Sequence, residues 1–404
     1  MPYQDIRIHS FNLSPAETDD LYIKRYHGES TIRLGFDLDG ADSFIVCNTE
    51  LLALISSIYK LDKKLALLSA KIPSDALQQF VSNSMIEEIQ QSNEVENINS
   101  TRKEIKDALD AVIQERHGKR FASMVRKYLI LQSDKDIPLS TSQDIRNLYN
   151  EFIADEIIRD DPGDQPDGEI FRKSPVHVNN SHGETIHEGL FPESKIITAM
   201  DSALSILNNN DYDILIRVAL FHYFFGYIHP FYNGNGRMSR FISSYMLSTN
   251  LEQAICLRLS YVIKEKKNKY LKMYKETEDP GNMGDMTGFV TGFLQLIESA
   301  CDDAFSDIQE KNNTYQIMKT KLDKYLHDPD RGIAEKYHKI FYYILEKTIF
   351  IGDGASYGEI ISGTGITKIT VAKILSKADP IVYYRKGTRE HRWYIKLTDS
   401  IYSK

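Results

Sequence analysis

Twelve consecutive residues carry the side chains of this chain best suited to chemistry: His229-Pro230-Phe231-Tyr232-Asn233-Gly234-Asn235-Gly236-Arg237-Met238-Ser239-Arg240. Pro230 disfavours helical backbone at His229, so a preceding helix ends there. Gly234 and Gly236 permit a tight turn with backbone close to a ligand. A helix opening on that turn offers free N–H groups and a positive dipole end, which suit phosphate. Arg237 and Arg240 are three apart and share one side of the helix. Two forked cations beside an amide nest make a cradle for a polyphosphate. His229, at the lip, is placed to take a proton.

Helices must hold this turn. Residues 213–228 are nearly all apolar, as in a helix buried on most sides. After the turn, Met238, Phe241, Ile242, Tyr245 and Met246 form the core side of a helix over 236–248. A further helix is expected over 194–207. Ser140 and Thr141 offer an N-cap for one helix through Ile158, broken by Asp160-Asp161-Pro162-Gly163-Asp164. Residues 168–189 are the β-like part: Val176 and Val178 flank His177, and Asn179-Asn180-Ser181-His182-Gly183 supplies a turn, giving a hairpin or flap. Upstream, apolar spacing predicts helices over 49–70, 74–91 and 101–113. Residues 1–40 read as irregular, with strand-like pieces at 3–11 and 31–36.

The composition fits that reading. The chain has 404 residues, 42% hydrophobic and 26% charged, which excludes a disordered chain or a disulfide scaffold. Lys and Arg number 49 against 57 Asp and Glu, a net charge of −8, which argues against a nucleic-acid coat but leaves room for one basic module. Cys47, Cys256 and Cys301 lie far apart, with no zinc spacing, consistent with a reducing compartment. The start lacks a basic segment followed by an apolar run, and no stretch of 18 apolar residues occurs. A cytoplasmic protein with no membrane partner is expected.

The twelve residues resemble the signature of the Fic family, HPFx(D/E)GNGRxxR, with Asn233 where the family has Asp or Glu. The resemblance implies a mainly α fold: an all-helical core with a β-hairpin flap, accompanied here by a C-terminal winged-helix domain. It implies transfer of AMP from ATP to a Ser, Thr or Tyr hydroxyl of a target protein, with self-modification as one outlet. His229 would be the general base. Gly234, Asn235 and Gly236 would hold the α- and β-phosphates, Asn235 also by its side chain. Arg237 and Arg240 would grip the β- and γ-phosphates. The family's acidic position binds Mg²⁺; an amide at Asn233 is a weaker ligand. Val178, Asn179 and Asn180 of the flap would lie near the nucleotide, with the flap taking the target segment by strand addition. Tyr270 is a candidate for adenine stacking, with core packing as the competing reading.

Ser92-Asn93-Glu94-Val95-Glu96-Asn97 matches the family's inhibitory pattern, (S/T)xxxE(G/N). The resemblance implies that Glu96 pairs with Arg240 and occupies the γ-phosphate position, with Ser92 and Asn97 completing the motif. Long antiparallel helices and family habit point to a homodimer.

Four regions result: a helical region with the inhibitory helix over 1–110, the core over 111–310, a helical linker over 311–336 and a winged helix-turn-helix over 337–404. In the last, a helix over 337–350 precedes the capping-box pattern Ser356-Tyr357-Gly358-Glu359, a turn at 363–365, a helix over 367–377, and β-runs at 381–386 and 392–396 around Gly387-Thr388. Residues 356–404 hold nine Lys and Arg against four Asp and Glu, so DNA is one expected partner and a protein-interaction role the other. Three functions remain open on the residues: a self-inhibited adenylyltransferase, a nucleotide-sensing transcription regulator, and a Fic-fold enzyme that moves another phosphate-linked group or removes AMP.

Overall fold

A computed structural model of the chain describes residues 3–133, 135–179, 185–378, 381–386 and 391–396. The fold is mainly helical, with three small antiparallel sheets among the described residues. It divides into two compact units, Met1–Lys63 with Met85–Asp303, and Lys64–Ser84 with Ala304–Lys404.

The centre of the first unit is the helix Ile214–Ile228, in which every residue except Arg217 and Gly226 is buried. It packs against Glu193–Leu207 on one side and Asn235–Ser248 on the other. Burying each large apolar side chain contributes about 1.5–3 kcal/mol, so this helix anchors the unit. Phe241 extends the core by stacking on Phe152 and meeting Tyr128 edge-on, at centroid distances of 4.5 and 5.0 Å. The expected helix through Ile158 begins at Ser142 on a Thr141–Asp144 capping box. It is interrupted by a π turn at Asn150–Ala154 and resumes over Asp155–Asp160. Such a turn places one extra residue in the helix and rotates the face that follows.

The flap is smaller than its sequence span. His177–Asn179 pairs with Thr185–Glu188, in register His177 to Glu188 and Val178 to His187. Asn180 and the rest of the expected turn, 180–184, lie outside the described residues. The segment before the flap is irregular but fixed: Glu193 accepts hydrogen bonds from the backbone N–H groups of Glu169, Ile170 and Phe171, at 3.1, 2.8 and 2.8 Å.

The N-terminal expectation needs correction. The strand-like piece at 3–11 contains a helix, Ile6–Ser10, and a second helix follows at Pro15–Tyr26. The alternation of Ile6 and Ile8 imitated a strand, but only Ile6 is buried. Ser14 and Glu17 form a capping box with Pro15 at the first helical position, the arrangement that starts a helix. Thr31–Leu38 is a strand as expected in part, and it pairs with Ala41–Val46.

The helices Thr49–Ser69 and Arg102–Ile113 lie within a residue or so of their expected bounds. Ser74–Val95 runs past residue 91 and takes in most of the inhibitory pattern. Asn97 ends it with φ of 58°. Its N–H reaches Glu94 O at 3.0 Å and the Ile98 N–H reaches Asn93 O at 2.9 Å. That pair of hydrogen bonds is a Schellman cap, which requires left-handed backbone and so favours Gly or Asn.

The expected connecting helix at 315–326 is the end of one 40-residue helix, Thr287–Leu326. In the second unit, His338–Glu346 continues through a π turn at Lys347–Ile351. Ser356 and Glu359 form the capping box of Tyr357–Thr364, which Gly365 ends at φ of 67°, and Lys368–Leu375 follows. His391–Ile395 lies between Ala355–Ser356 and Val382–Lys386 in an antiparallel sheet. Gly387, Thr388 and Arg389, expected at the wing tip, lie outside the described residues.

Candidate active site

His229 ends the helix Ile214–Ile228 in left-handed backbone, with φ of 50° and ψ of 60°. An L residue held there costs roughly 1–2 kcal/mol. The fully buried Arg172 offsets this. Its Nε donates to His229 O at 2.9 Å, its Nη1 to Ser174 O at 2.7 Å and its Nη2 to Leu190 O at 2.8 Å. One guanidinium therefore ties both ends of the flap segment to the backbone of the histidine. Burial pushes Arg172 down to about 10, so it stays charged at neutral pH. Gly189 is required beside it, because a Cβ there would lie 2.5 Å from Arg172 Nη2 and 2.9 Å from His229 Cβ.

The His229 ring is half-buried. Its Nδ1 lies 3.3 Å from Gly226 O. A carbonyl only accepts, so the proton sits on Nδ1 and Nε2 is left as an acceptor. Burial, assisted by the charges of His187 and Arg172, brings its pKa down to about 4. At neutral pH the ring is therefore neutral, with Nε2 unprotonated, as a base requires. His187, on the flap strand Thr185–Glu188, has its ring 6.2 Å from that of His229. Its Nε2 meets Tyr227 O at 2.8 Å and its Nδ1 meets Glu278 Oε2 at 3.1 Å. Burial opposes the imidazolium, but Glu278 prevails and raises the pKa.

The loop after His229 is held from inside. Phe231 is fully buried and stacks on Tyr149 at 3.8 Å. Asn235 clamps it: Oδ1 accepts from Phe231 N–H at 3.0 Å and Nδ2 donates to Phe231 O at 2.8 Å. The Asn235 side chain, expected at the α-phosphate, holds the loop in this structure. Both ends of this buried amide are committed to the loop, leaving the backbone amides to face a ligand. Gly234 has φ of 85°, and a Cβ there would lie 2.6 Å from Ile157 Cδ1.

Arg237 and Arg240 are both buried, at 2% and 1% exposure. Arg237 Nη1 pairs with Glu156 Oε1 at 3.1 Å. Its Nε is buried without a partner. Arg240 is closed by the end of the helix Ser74–Val95 and the residue after it: Nε donates to Ser92 Oγ at 3.0 Å, Nη2 to Ser92 O at 2.8 Å and Nη1 to Glu96 Oε1 at 2.9 Å. Burial works against the Glu96 carboxylate, yet Arg240, with Arg237 and His229 behind it, holds its pKa below the usual range. The same oxygen sits on the N-terminal turn of the motif helix, since a Cβ on Gly236 would lie 1.9 Å from it. The carboxylate thus stands in the anion cradle.

Tyr270 sits in the core. It is 6% exposed and its hydroxyl lies 2.8 Å from His222 Nε2, with Tyr274 against the ring. The packing reading describes it, and stacking on a base does not. Val178 lies on the flap strand, half-buried.

Among the described residues no three His, Cys, Asp or Glu side chains gather. Asn233 is exposed. Its Oδ1 accepts from Gly234 N–H at 2.7 Å and its Nδ2 donates to Asp164 Oδ2 at 3.1 Å. One amide oxygen and one carboxylate are hard donors, and Mg²⁺ is usually held by one or two carboxylates plus substrate phosphates. The donor set fits such an ion when a polyphosphate shares it.

Arg172, His187, Glu156 and Asp164 were not legible as site residues. Asp164 looked like the end of a helix breaker, and the others carry no local pattern.

Residues 139–247 match the model of the Fic/DOC family. A Fic family protein from Desulfovibrio desulfuricans G20 shares the fold, with a TM-score of 0.53 at 19% identity over 87% of this chain and 98% of that chain. A Fic domain containing signaling protein from Bacteroides thetaiotaomicron VPI-5482 aligns at 18% identity over 65% of this chain and 97% of that one, with a TM-score of 0.42. A portion of Fic-1 from C. elegans aligns at 16% identity over 64% and 75%, with a TM-score of 0.39.

Proposed function

From the Fic/DOC domain at residues 139–247, we propose that the chain is a self-inhibited protein adenylyltransferase. It moves AMP from ATP to a Ser, Thr or Tyr hydroxyl of a target protein. The observation that carries this reading is the contact of Glu96 with Arg240 at 2.9 Å, beside a histidine kept neutral with Nε2 free.

In the reaction, the target hydroxyl oxygen bonds to the α-phosphorus while its proton passes to His229 Nε2. The bond to the β-phosphate breaks and pyrophosphate leaves. The free N–H groups where the motif helix starts, with Arg237 and Arg240, stabilise the charge that develops. Bound Mg²⁺ would supply further neutralisation of the phosphates, with Asn233 among the residues that would hold it. The short flap offers a backbone edge to an extended target segment. While Glu96 occupies the cradle, the polyphosphate lacks Arg240 and the turn at Gly236, so the α-phosphorus is not presented to the hydroxyl.

Transfer from ATP labelled at the α-phosphorus tests this, using the unmodified protein, Glu96→Gly, and Glu96→Gly with His229→Ala. The expected result is label on protein with Glu96→Gly that disappears when His229→Ala is added. Label that persists without His229, or no label although the Glu96→Gly protein binds ATP, would overturn the reading.

A further inference from the structure

Resting on that reading, we propose that Asp164 supplies the carboxylate that the motif loop itself lacks, and that it ligates the divalent cation of the bound nucleotide. Asn233 is an exposed amide on the motif loop. An amide oxygen alone is a weak hold on Mg²⁺, which favours carboxylates. The chain departs from the usual residue there without leaving the place uncharged. The helix Asp155–Asp160 ends at Asp161, whose side chain caps a single turn, Pro162–Asp164. That turn delivers the Asp164 carboxylate to 3.1 Å from Asn233 Nδ2. The delivery is tightly determined, because Gly234 packs on Ile157 of the same helix. A shift of the turn would therefore move the motif loop with it.

Asp164 stands beside the motif loop through its bond to Asn233. Burial raises the pKa of the Tyr149 hydroxyl, Arg237 works against it and the Asp164 charge adds to it, and Tyr149 is the residue on which Phe231 stacks. Arg237, meanwhile, has a buried Nε with no partner, a donor that an anionic ligand would satisfy. Asp164 is half-buried and its bond to Asn233 spends one lone pair of one oxygen. The other oxygen remains for a cation. Asn233, besides offering its amide oxygen, positions the carboxylate through Nδ2 as outer-shell groups hold metal ligands.

The test is binding of Mn²⁺, followed by its electron paramagnetic resonance, to the Glu96→Gly protein saturated with the β,γ-imido analogue of ATP. The variants are Asp164→Asn, Asp164→Glu, and Asp164→Asn with Asn233→Asp. Nucleotide binding in EDTA and thermal unfolding are measured on each. Asp164→Asn is expected to weaken Mn²⁺ at least about tenfold, Asp164→Glu to retain most of the affinity, and Asn233→Asp to restore it when combined with Asp164→Asn. Mn²⁺ affinity unchanged by Asp164→Asn, with nucleotide still bound, would overturn the inference and leave the proposed function standing. Failure of the Glu96→Gly protein to bind nucleotide at all would sink both.

Discussion

The two arginines of the motif helix each meet a glutamate from elsewhere in the chain, and the two pairs are built for different purposes. Arg237 pairs with Glu156, whose side chain is 7% exposed and is also approached by Arg120 at 3.7 Å. Arg240 pairs with Glu96, whose side chain is 36% exposed. Glu156 lies within a helix; Glu96 lies just past the end of one, where a negative charge opposes the helix dipole. Arg240 also retains two bonds to Ser92 that do not involve Glu96. Glu96 can therefore leave without stranding a buried cation, whereas Glu156 cannot. On the proposed function, one pair is a removable plug in the cradle and the other is part of its wall.

Glu156→Ala should break the comparison most severely. It leaves the buried Arg237 unpaired, which costs about 3–5 kcal/mol, to be read as a fall in the urea midpoint. Glu96→Gly should do the reverse: unfolding changes little while AMP transfer rises about 100-fold, the scale on which one charge-stabilising group acts. A loss of stability with Glu96→Gly as large as that with Glu156→Ala would erase the distinction. Ser92→Ala should be smaller, removing one of the two bonds that keep Arg240 in place without Glu96. A loss of about 1–2 kcal/mol is expected, with the brake weakened but present.

The subtlest difference is in pH. Against the effect of burial, Arg240 holds the Glu96 pKa below 4.5, so the stability it contributes is present above 4.5 and fades as pH falls through the lower native value. For Glu156, burial outweighs Arg237 and Arg120 and raises the pKa above 4.5. Its contribution is complete below 4.5 and is lost as pH rises through the raised value. Glu96→Gln should thus flatten the stability profile on the acid side of 4.5, and Glu156→Gln on the alkaline side. Denaturant titrations across the acid range check the signs; two profiles that move together would show that the pairs are alike.

The same contrast explains what could be read in advance. The plug was legible because Ser92, Glu96 and Asn97 are close in sequence and each has a local reason: a last-turn hydroxyl, a carboxylate at the helix end, and a left-handed cap. The wall was not, since Glu156 lies 81 residues from Arg237 and belongs to no short pattern. Arg172 escaped for the same reason, reaching His229 across 57 residues. The clamp of Asn235 on Phe231 escaped because residue type alone cannot tell an amide that faces a ligand from one that staples its own loop. The helix at Pro15 was missed although Ser14-Pro15 and Glu17 spell its start.

By itself the sequence determined whatever depends on neighbours along the chain. It placed the helix end at Pro230, the glycine turn, the two arginines on one helix side, the capping boxes and the inhibitory pattern. Tertiary structure alone decided that Glu156 meets Arg237, which amide faces inward, and that Asp164 stands beside Asn233. The reason is that backbone geometry is set by local sterics, while the worth of a charge depends on distance through space and on the dielectric around it. Both of those are fixed only when remote segments pack together.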